Sequence, residues 1–220
     1  MSDSTRRTRW LVLLVLLAGC GTAGSPVFPT TSTPTVEPAR ASRWQPRTPL
    51  PQVMMSDEEK QRVRLEQLAD QAKAAGLENP VMPDLVRWIY PEEIGSTIVP
   101  CLNDKGFLVT ANASGTGYSG DISGGQDKAA ALAQWQCAAM YSLDPRVTIP
   151  ATSAQMGIAY DYVVQFLVPC LAKQGYTDLE VPSREVFLAN DGYMEDFPKG
   201  DETLCPFNPP TNAVLGEVLP

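Results

Sequence analysis

The chain contains no histidine among its 220 residues. This absence excludes Ser-His-Asp and Cys-His catalytic groups and every metal site built on imidazole ligands. It also removes the most common general base. The segments G-x-S-x-G, S-x-x-K and C-x-x-C are missing as well, which argues against the hydrolases and thiol-exchange enzymes that use them. We therefore predict no catalytic residue, no metal site and no cofactor.

The N-terminus lacks an apolar run long enough to span a membrane. Its unbroken run, Trp10–Leu17, has eight residues, whereas a membrane-spanning helix needs about 20. Three arginines precede this run, and small residues lead from it to Cys20. A basic region, a short apolar run and a small-residue cleavage site are typical of a secretory signal peptide.

The segment Leu17-Ala18-Gly19-Cys20 resembles the lipobox of bacterial lipoproteins at every position. The resemblance implies that residues 1–19 are a signal peptide and that Cys20 becomes the lipidated first residue. Each buried lipid methylene contributes roughly 0.8 kcal/mol, so two or three acyl chains, such as palmitate, form a firm anchor. We predict that the membrane is a partner through lipidated Cys20, and that the protein lies on the extracytoplasmic face of the cell membrane. The Sec and twin-arginine export routes both remain open.

The charge balance is acidic. The chain has 17 basic and 25 acidic residues, a net charge of −8, and removing the signal with its three Arg and Asp3 makes the balance −10. Nucleic-acid binding depends on neutralising phosphates with Lys and Arg. We therefore predict that nucleic acid is not a partner.

Residues 20–52 are rich in Pro, Thr and Ser, a composition that cannot bury a core, and we predict a disordered tether there. Residues 53–79 are predicted to carry an N-terminal helix. Ser56 and Glu59 form a capping-box pattern at its start, and Gly76 marks its end. Apolar residues Leu65, Leu68, Ala72 and Ala75 predict its packing stripe.

The folded domain is predicted over residues 80–220, where one segment occurs twice. Ile98–Phe107 returns 69 residues later as Leu167–Tyr176, with five of ten positions identical. Each copy predicts a helix that ends at a glycine, followed by a short strand and a further helix. The strand is expected at 107–110 in the first copy and at 176–181 in the second. We predict an α+β, mainly helical fold of two tandem helix–strand–helix units, about 85–145 and 154–210.

Four cysteines remain beside Cys20, an even number that predicts two disulfides in an exported protein. Four cysteines allow three pairings, and the repeat symmetry is compatible with all of them. If each unit is self-contained, the pairs are Cys101–Cys137 and Cys170–Cys205. Each bond would then stabilise the fold by roughly 3–4 kcal/mol in the chain-entropy model.

The second unit resembles a motif string of exported actinobacterial proteins of unknown function. Leu167-Val168-Pro169-Cys170-Leu171, Gly175-Tyr176 and Pro182-Ser183-Arg184-Glu185-Val186-Phe187 carry the resemblance. It implies an extracytoplasmic location and the fold class, and it implies no activity.

Four aromatic residues are candidates to line a carbohydrate or peptide groove, although we expect most of them in the core and at most one in the groove: Trp88, Trp135, Tyr160 and Tyr162. The Gly/Ser-rich segment 115–125 matches no phosphate-binding pattern. We interpret it as a surface loop which, if functional, would act as a recognition loop over a cleft.

The predicted function is an extracytoplasmic binding or scaffolding module whose partner is an envelope protein or glycan. The alternative is a carboxylate-based hydrolase of cell-wall or glycan material, with Asp161 as one candidate carboxylate. A deep cleft with two carboxylates 5–10 Å apart would favour the hydrolase. A shallow or apolar groove would favour binding.

Overall fold

A computed structural model describes residues 43–120, 127–192, 194, 197–198 and 200–217. The fold is α+β and mainly helical, as predicted: about 48% of the described residues are helical, and the strands are few and short. Two disulfides are present, Cys101–Cys137 and Cys170–Cys205, with Cα–Cα distances of 6.0 and 5.8 Å. These are the pairings expected from self-contained units.

Helix α1 spans Asp57–Ala74. It begins directly after the predicted cap Ser56 and ends two residues before Gly76, within the predicted segment 53–79. The Ser56 hydroxyl accepts a hydrogen bond from the Glu59 backbone N–H at 3.2 Å, and the chain leaves the helix through Gly76. Its buried face contains Val63, Arg64, Leu68 and Ala72. The predicted stripe is therefore partly wrong, because Leu65 is 48% exposed and Ala75 also faces solvent.

The N-terminal half of the domain (residues 57–148) contains α1, two further α-helices and two small two-stranded sheets. Strands β1 (Arg87–Ile89) and β4 (Tyr141–Leu143) pair in parallel, with Trp88 opposite Ser142. Strands β2 (Val109–Ala111) and β3 (Tyr118–Gly120) form an antiparallel hairpin. Ile89, Ile98, Leu102, Val109, Ala133 and Cys137 form the core here. The elements after α1 are β1 Arg87–Ile89, α2 Ile94–Asp104, β2 Val109–Ala111, β3 Tyr118–Gly120, α3 Asp127–Met140 and β4 Tyr141–Leu143.

The C-terminal half (residues 153–207) is helical and packs around aromatic side chains. Its core contains Tyr162, Val163, Phe166, Leu167, Leu171 and Phe187, together with the second disulfide. Its elements are α4 Ser153–Tyr162, a π-helical turn Val163–Leu167, α5 Val168–Lys173 and α6 Arg184–Ala189; α7 Thr211–Val214 follows.

The two copies of the repeated segment end their helices in the same way. Gly106 and Gly175 have φ values of +88° and +97°, a conformation that favours glycine. The next residue then donates a backbone hydrogen bond across the last turn, Phe107 to the Leu102 carbonyl and Tyr176 to the Leu171 carbonyl. This is the Schellman geometry that the motif predicts.

The strand predicted at 176–181 is not formed. In the first copy the strand exists as β2, Val109–Ala111, because a hairpin partner, Tyr118–Gly120, follows it directly. The second copy instead continues into Pro182 and helix α6, capped by Ser183, and so offers no adjacent partner strand. The two units therefore share a helix ending and a disulfide spacing, but not a helix–strand–helix order.

Part of the segment predicted as tether packs on the domain. The Trp44 ring meets the Tyr162 ring edge-on with centroids 5.1 Å apart, and Pro46 is buried. The Val53 N–H donates to the Leu215 carbonyl at 2.8 Å. Residues 44–53 therefore belong to the folded domain, whereas 20–42 lie outside the described residues. Within the described part of the chain, no helix is long and apolar enough to span a membrane.

Candidate functional site

A buried ionic cluster fixes the end of β4 to three other parts of the chain. Asp144, 2% exposed, accepts from Lys60 Nζ at 2.7 Å and from Arg146 Nη2 at 2.8 Å. Arg146 Nη1 also donates to Glu217 at 2.8 Å and to the Val53 carbonyl at 3.1 Å. The cluster thus joins α1, the segment before it and the C-terminal residues to the sheet.

Two groups here have shifted pKa values: Asp144, and Tyr90, whose hydroxyl donates to Glu217 at 2.8 Å and accepts from Arg146 at 3.1 Å. Burial by itself would raise the pKa of Asp144, but hydrogen bonds from Arg146 and Lys60 outweigh it and lower the pKa to about 2. Burial, together with the hydrogen bond to Glu217, raises the pKa of Tyr90 to about 12. A general acid or base works best with a pKa near the ambient pH. These two groups therefore serve structure rather than proton transfer.

Beside this cluster, a cleft of about 200 Å³ opens between α1, α3 and the two sheets. Its apolar part is formed by Leu68, Ile89, Ile94, Ile98 and Leu143. Its polar part is formed by three glutamines, two tyrosines and Thr148: Gln67 and Gln71 from α1, Gln134 from α3, Tyr118 from β3 and Tyr141 from β4. Ligand pockets typically combine such an apolar surface with a few polar groups.

The cleft carries no free charge. Among the described residues that line it there is no Asp or Glu, and Arg64 is the one cation. The Arg64 guanidinium donates to Ser142 Oγ at 3.0 Å, to the Ala139 carbonyl at 2.6 Å and to the Pro83 carbonyl at 3.3 Å. The N–H groups of Arg64 therefore already bond to the protein. Burial lowers the pKa of Arg64, and the charge of Asp84 opposes that effect.

Four neutral groups of the lining are left for a ligand. Within the described part of the chain, the side chains of Gln71, Gln134, Tyr118 and Tyr141 have no hydrogen-bond partner. Gln67, in contrast, donates to Thr148 at 2.8 Å. Partial burial raises the pKa of Tyr118, so its phenol stays neutral and can donate. The cleft therefore presents uncharged donors and acceptors beside an apolar surface.

The four predicted groove aromatics do not come together. Trp135 and Tyr162 are buried in different cores, where the Trp135 indole donates to the Leu68 carbonyl and the Tyr162 hydroxyl donates to the Pro206 carbonyl. Tyr160 contacts the Phe187 ring, and the Trp88 ring lies 5.9 Å from Lys60 Nζ. The structure therefore brings these four residues to no common groove. Cys20 and the lipobox lie outside the described residues.

The sequence carries signals for part of the cleft. Gln67 and Gln71 are four residues apart on α1 and flank the buried Leu68, so they share the edge of its packing face. Tyr118 lies in the Gly/Ser-rich segment interpreted as a possible recognition loop, and the structure places it in the cleft wall. Residues 121–125 of that segment lie outside the described residues.

A second, wider opening of about 540 Å³ is lined by Arg87, Thr97, Lys105 and Tyr141. Its cations are engaged, because Arg87 pairs with Glu93 at 2.7 Å and Lys105 donates to Gln136 at 2.9 Å. In the described residues no group of three or more Cys, Asp or Glu side chains is placed to hold a metal ion.

Comparisons with known proteins indicate no function for the chain, so the geometry of the cleft is the evidence from which a function is inferred. No protein-family model matches the chain, and neither the curated proteins nor the solved structures include a match.

Proposed function

We propose that the protein is a lipid-anchored binding module on the extracytoplasmic face of the cell membrane, and that the cleft between α1 and α3 is its ligand site. The observation that carries the binding role is the cleft lining: an apolar surface beside four uncommitted neutral polar groups, Gln71, Gln134, Tyr118 and Tyr141. Such groups select a ligand without reacting with it.

The hydrolase alternative receives no support from the cleft. Its described lining has no carboxylate, whereas glycoside hydrolysis uses a pair of them. The candidate carboxylate Asp161 is paired with Arg184, which donates to it at 2.7 Å.

The location rests on one feature of the sequence and one of the structure. The lipobox supports lipidation of Cys20, and the two disulfides fit a protein that works outside the cytoplasm. The test is metabolic labelling of cells with an alkyne fatty acid. The unchanged chain should be labelled and found in the membrane fraction, and the Cys20→Ala chain should be unlabelled. Equal labelling of both chains would contradict the anchor.

The binding role is tested by filling the cleft. Ala138 lines it, so Ala138→Leu should reduce the capture of a specific envelope component by the anchored protein. Ala129→Leu is the matched control, since Ala129 lies on the same helix and is exposed. Capture is compared in native membranes by crosslinking and mass spectrometry. A component captured equally by both variants would show that the cleft is not the binding site.

A further inference from the structure

From the cleft chemistry we infer that its ligand is a neutral saccharide, of which one ring enters the cleft. This inference rests on the proposed binding function and names the class of ligand. Three properties of the site lead to it: its lack of free charge, the kind of polar groups it presents, and its size.

The charge of the cleft excludes ionic ligands. A buried charge is stable only when it is paired or hydrogen-bonded. An anion would find one cation, Arg64, whose guanidinium already donates to Ser142 Oγ and to the Ala139 and Pro83 carbonyls. A cation would find no carboxylate among the described lining residues. The cleft therefore takes a ligand that is neutral where it is buried.

The polar groups match hydroxyls. A glutamine amide and a phenol each offer both a donor and an acceptor, and a sugar hydroxyl needs both from its surroundings. Gln71 on α1 and Gln134 on α3 lie on two of the elements that form the cleft, and Tyr118 and Tyr141 come from its two sheets. Hydroxyls spread around a ring would meet donors and acceptors from several directions.

The apolar surface and the volume match one ring. Ile94, Ile98 and Leu143 give the cleft a surface on which the C–H face of a pyranose can pack. The volume of about 200 Å³ is below that of pockets for drug-sized ligands, about 300–1,000 Å³. A peptide strand would instead need an extended groove with a row of backbone partners.

The experiment uses the full-length lipidated protein in lipid nanodiscs and four probes. Three are neutral trisaccharides, of glucose, of mannose and of N-acetylglucosamine, and the fourth is an anionic trisaccharide of galacturonic acid. Binding is measured by saturation-transfer NMR and titration calorimetry. At least one neutral trisaccharide should bind, and the anionic one should bind at least about tenfold more weakly. Equal or tighter binding of the anionic probe overturns the inference, as does no binding of any neutral probe.

Amide variants connect the binding to the cleft. Gln71→Ala and Gln134→Ala should each weaken the affinity about five- to tenfold, since each removes one neutral hydrogen-bonding group. Gln136→Ala is the matched control: Gln136 is two residues from Gln134 on the same helix, but it accepts from Lys105 on the other side. Its affinity should be unchanged. Equal affinities of all three variants would overturn the inference.

The two proposals fail in different ways. If envelope capture depends on Ala138 while no neutral saccharide binds, the binding function stands and the ligand class is wrong. If a neutral tripeptide binds the unchanged protein but not the Ala138→Leu variant, the ligand class is peptide, and the saccharide inference is overturned. If capture and probe binding are both insensitive to the cleft variants, the proposed function fails as well.

Discussion

The N-terminal and C-terminal halves of the domain share a motif but are stabilised by different chemistry. Both have the Pro-Cys-Leu helix ending, the same glycine turn and a disulfide that spans 36 or 35 residues. The N-terminal half is then held by buried ions around Asp144, whereas the C-terminal half closes on stacked rings, with Tyr162 and Phe166 centroids 5.0 Å apart.

The difference shows that the repeated motif builds a scaffold and not a site. The cleft lies in the half where α1 and the β2–β3 hairpin are added, and these supply Gln71 and Tyr118. In the C-terminal half, Trp44 packs over Tyr162 and Arg184 crosses α4 at Gly157, where an added Cβ would collide with the guanidinium group. In the N-terminal half, the added α1 and hairpin thus form a cleft. In the C-terminal half, Trp44 and Arg184 cover the surface instead.

Removing a disulfide should have the largest effect on stability. Replacing both cysteines by serine, in either pair, should lower the free energy of unfolding by roughly 3–4 kcal/mol, because each bond closes a loop of similar length. The measurement is urea unfolding of the full chain followed by circular dichroism. Loss of Cys101–Cys137 should also weaken ligand binding, since Cys137 lies in, and Cys101 packs against, the core that contains the cleft residues Ile89 and Ile98. Loss of Cys170–Cys205 should leave binding unchanged. Weaker binding in the second variant alone would contradict the assignment of the site to the N-terminal half.

Leu102 and Leu171 occupy equivalent positions in the two copies of the repeated segment. They test whether both copies contribute equally to the stability of the fold. Both are almost fully buried, 1% and 0% exposed. Leu102→Ala and Leu171→Ala should each cost about 3 kcal/mol, through lost burial and the cavity left behind. The measurement is again urea unfolding, with exposed Leu65→Ala as a control that should cost less than about 1 kcal/mol. A cost near zero at only one of the two leucines would show that the copies have diverged in packing.

These two experiments concern what the sequence predicts well. The disulfide pairing follows once each unit is taken as self-contained. The helix endings follow from Gly106 and Gly175, because a helix ending depends on a short stretch of chain. The cleft does not follow, since Gln71 and Gln134 meet only through tertiary packing of α1 on α3. The strand predicted at 176–181 failed for a similar reason: a strand needs a partner, and the partner is not encoded in the strand itself.

Acid should destabilise the N-terminal half through Asp144. The pKa of this carboxyl falls from 3.8 to about 2 in the folded protein. Its ionised form therefore contributes about 2 kcal/mol of stability above pH 4, and this contribution is lost as the pH falls from about 4 to about 2. Asp144→Asn should be clearly less stable than the unchanged chain at pH 7, and the difference should shrink below pH 4. Unfolding curves at several pH values measure it. A difference that stays constant down to pH 2 would contradict the ionic role of Asp144.

The smallest effect is expected at Arg184, within the motif string of the C-terminal half. Arg184 is exposed, pairs with Asp161 at 2.7 Å, and lies over the Tyr160 ring at 5.7 Å. Exposed pairs of this kind contribute little, so Arg184→Ala should cost at most about 1 kcal/mol and leave ligand binding unchanged. Arg62→Ala, which removes the exposed pair with Glu66 on α1, is the matched control and should cost a similar amount. Thermal unfolding and probe titration of both variants give the comparison. Loss of binding in Arg184→Ala alone would place a functional surface in the C-terminal half. The assignment of the ligand site to the N-terminal half would then be wrong.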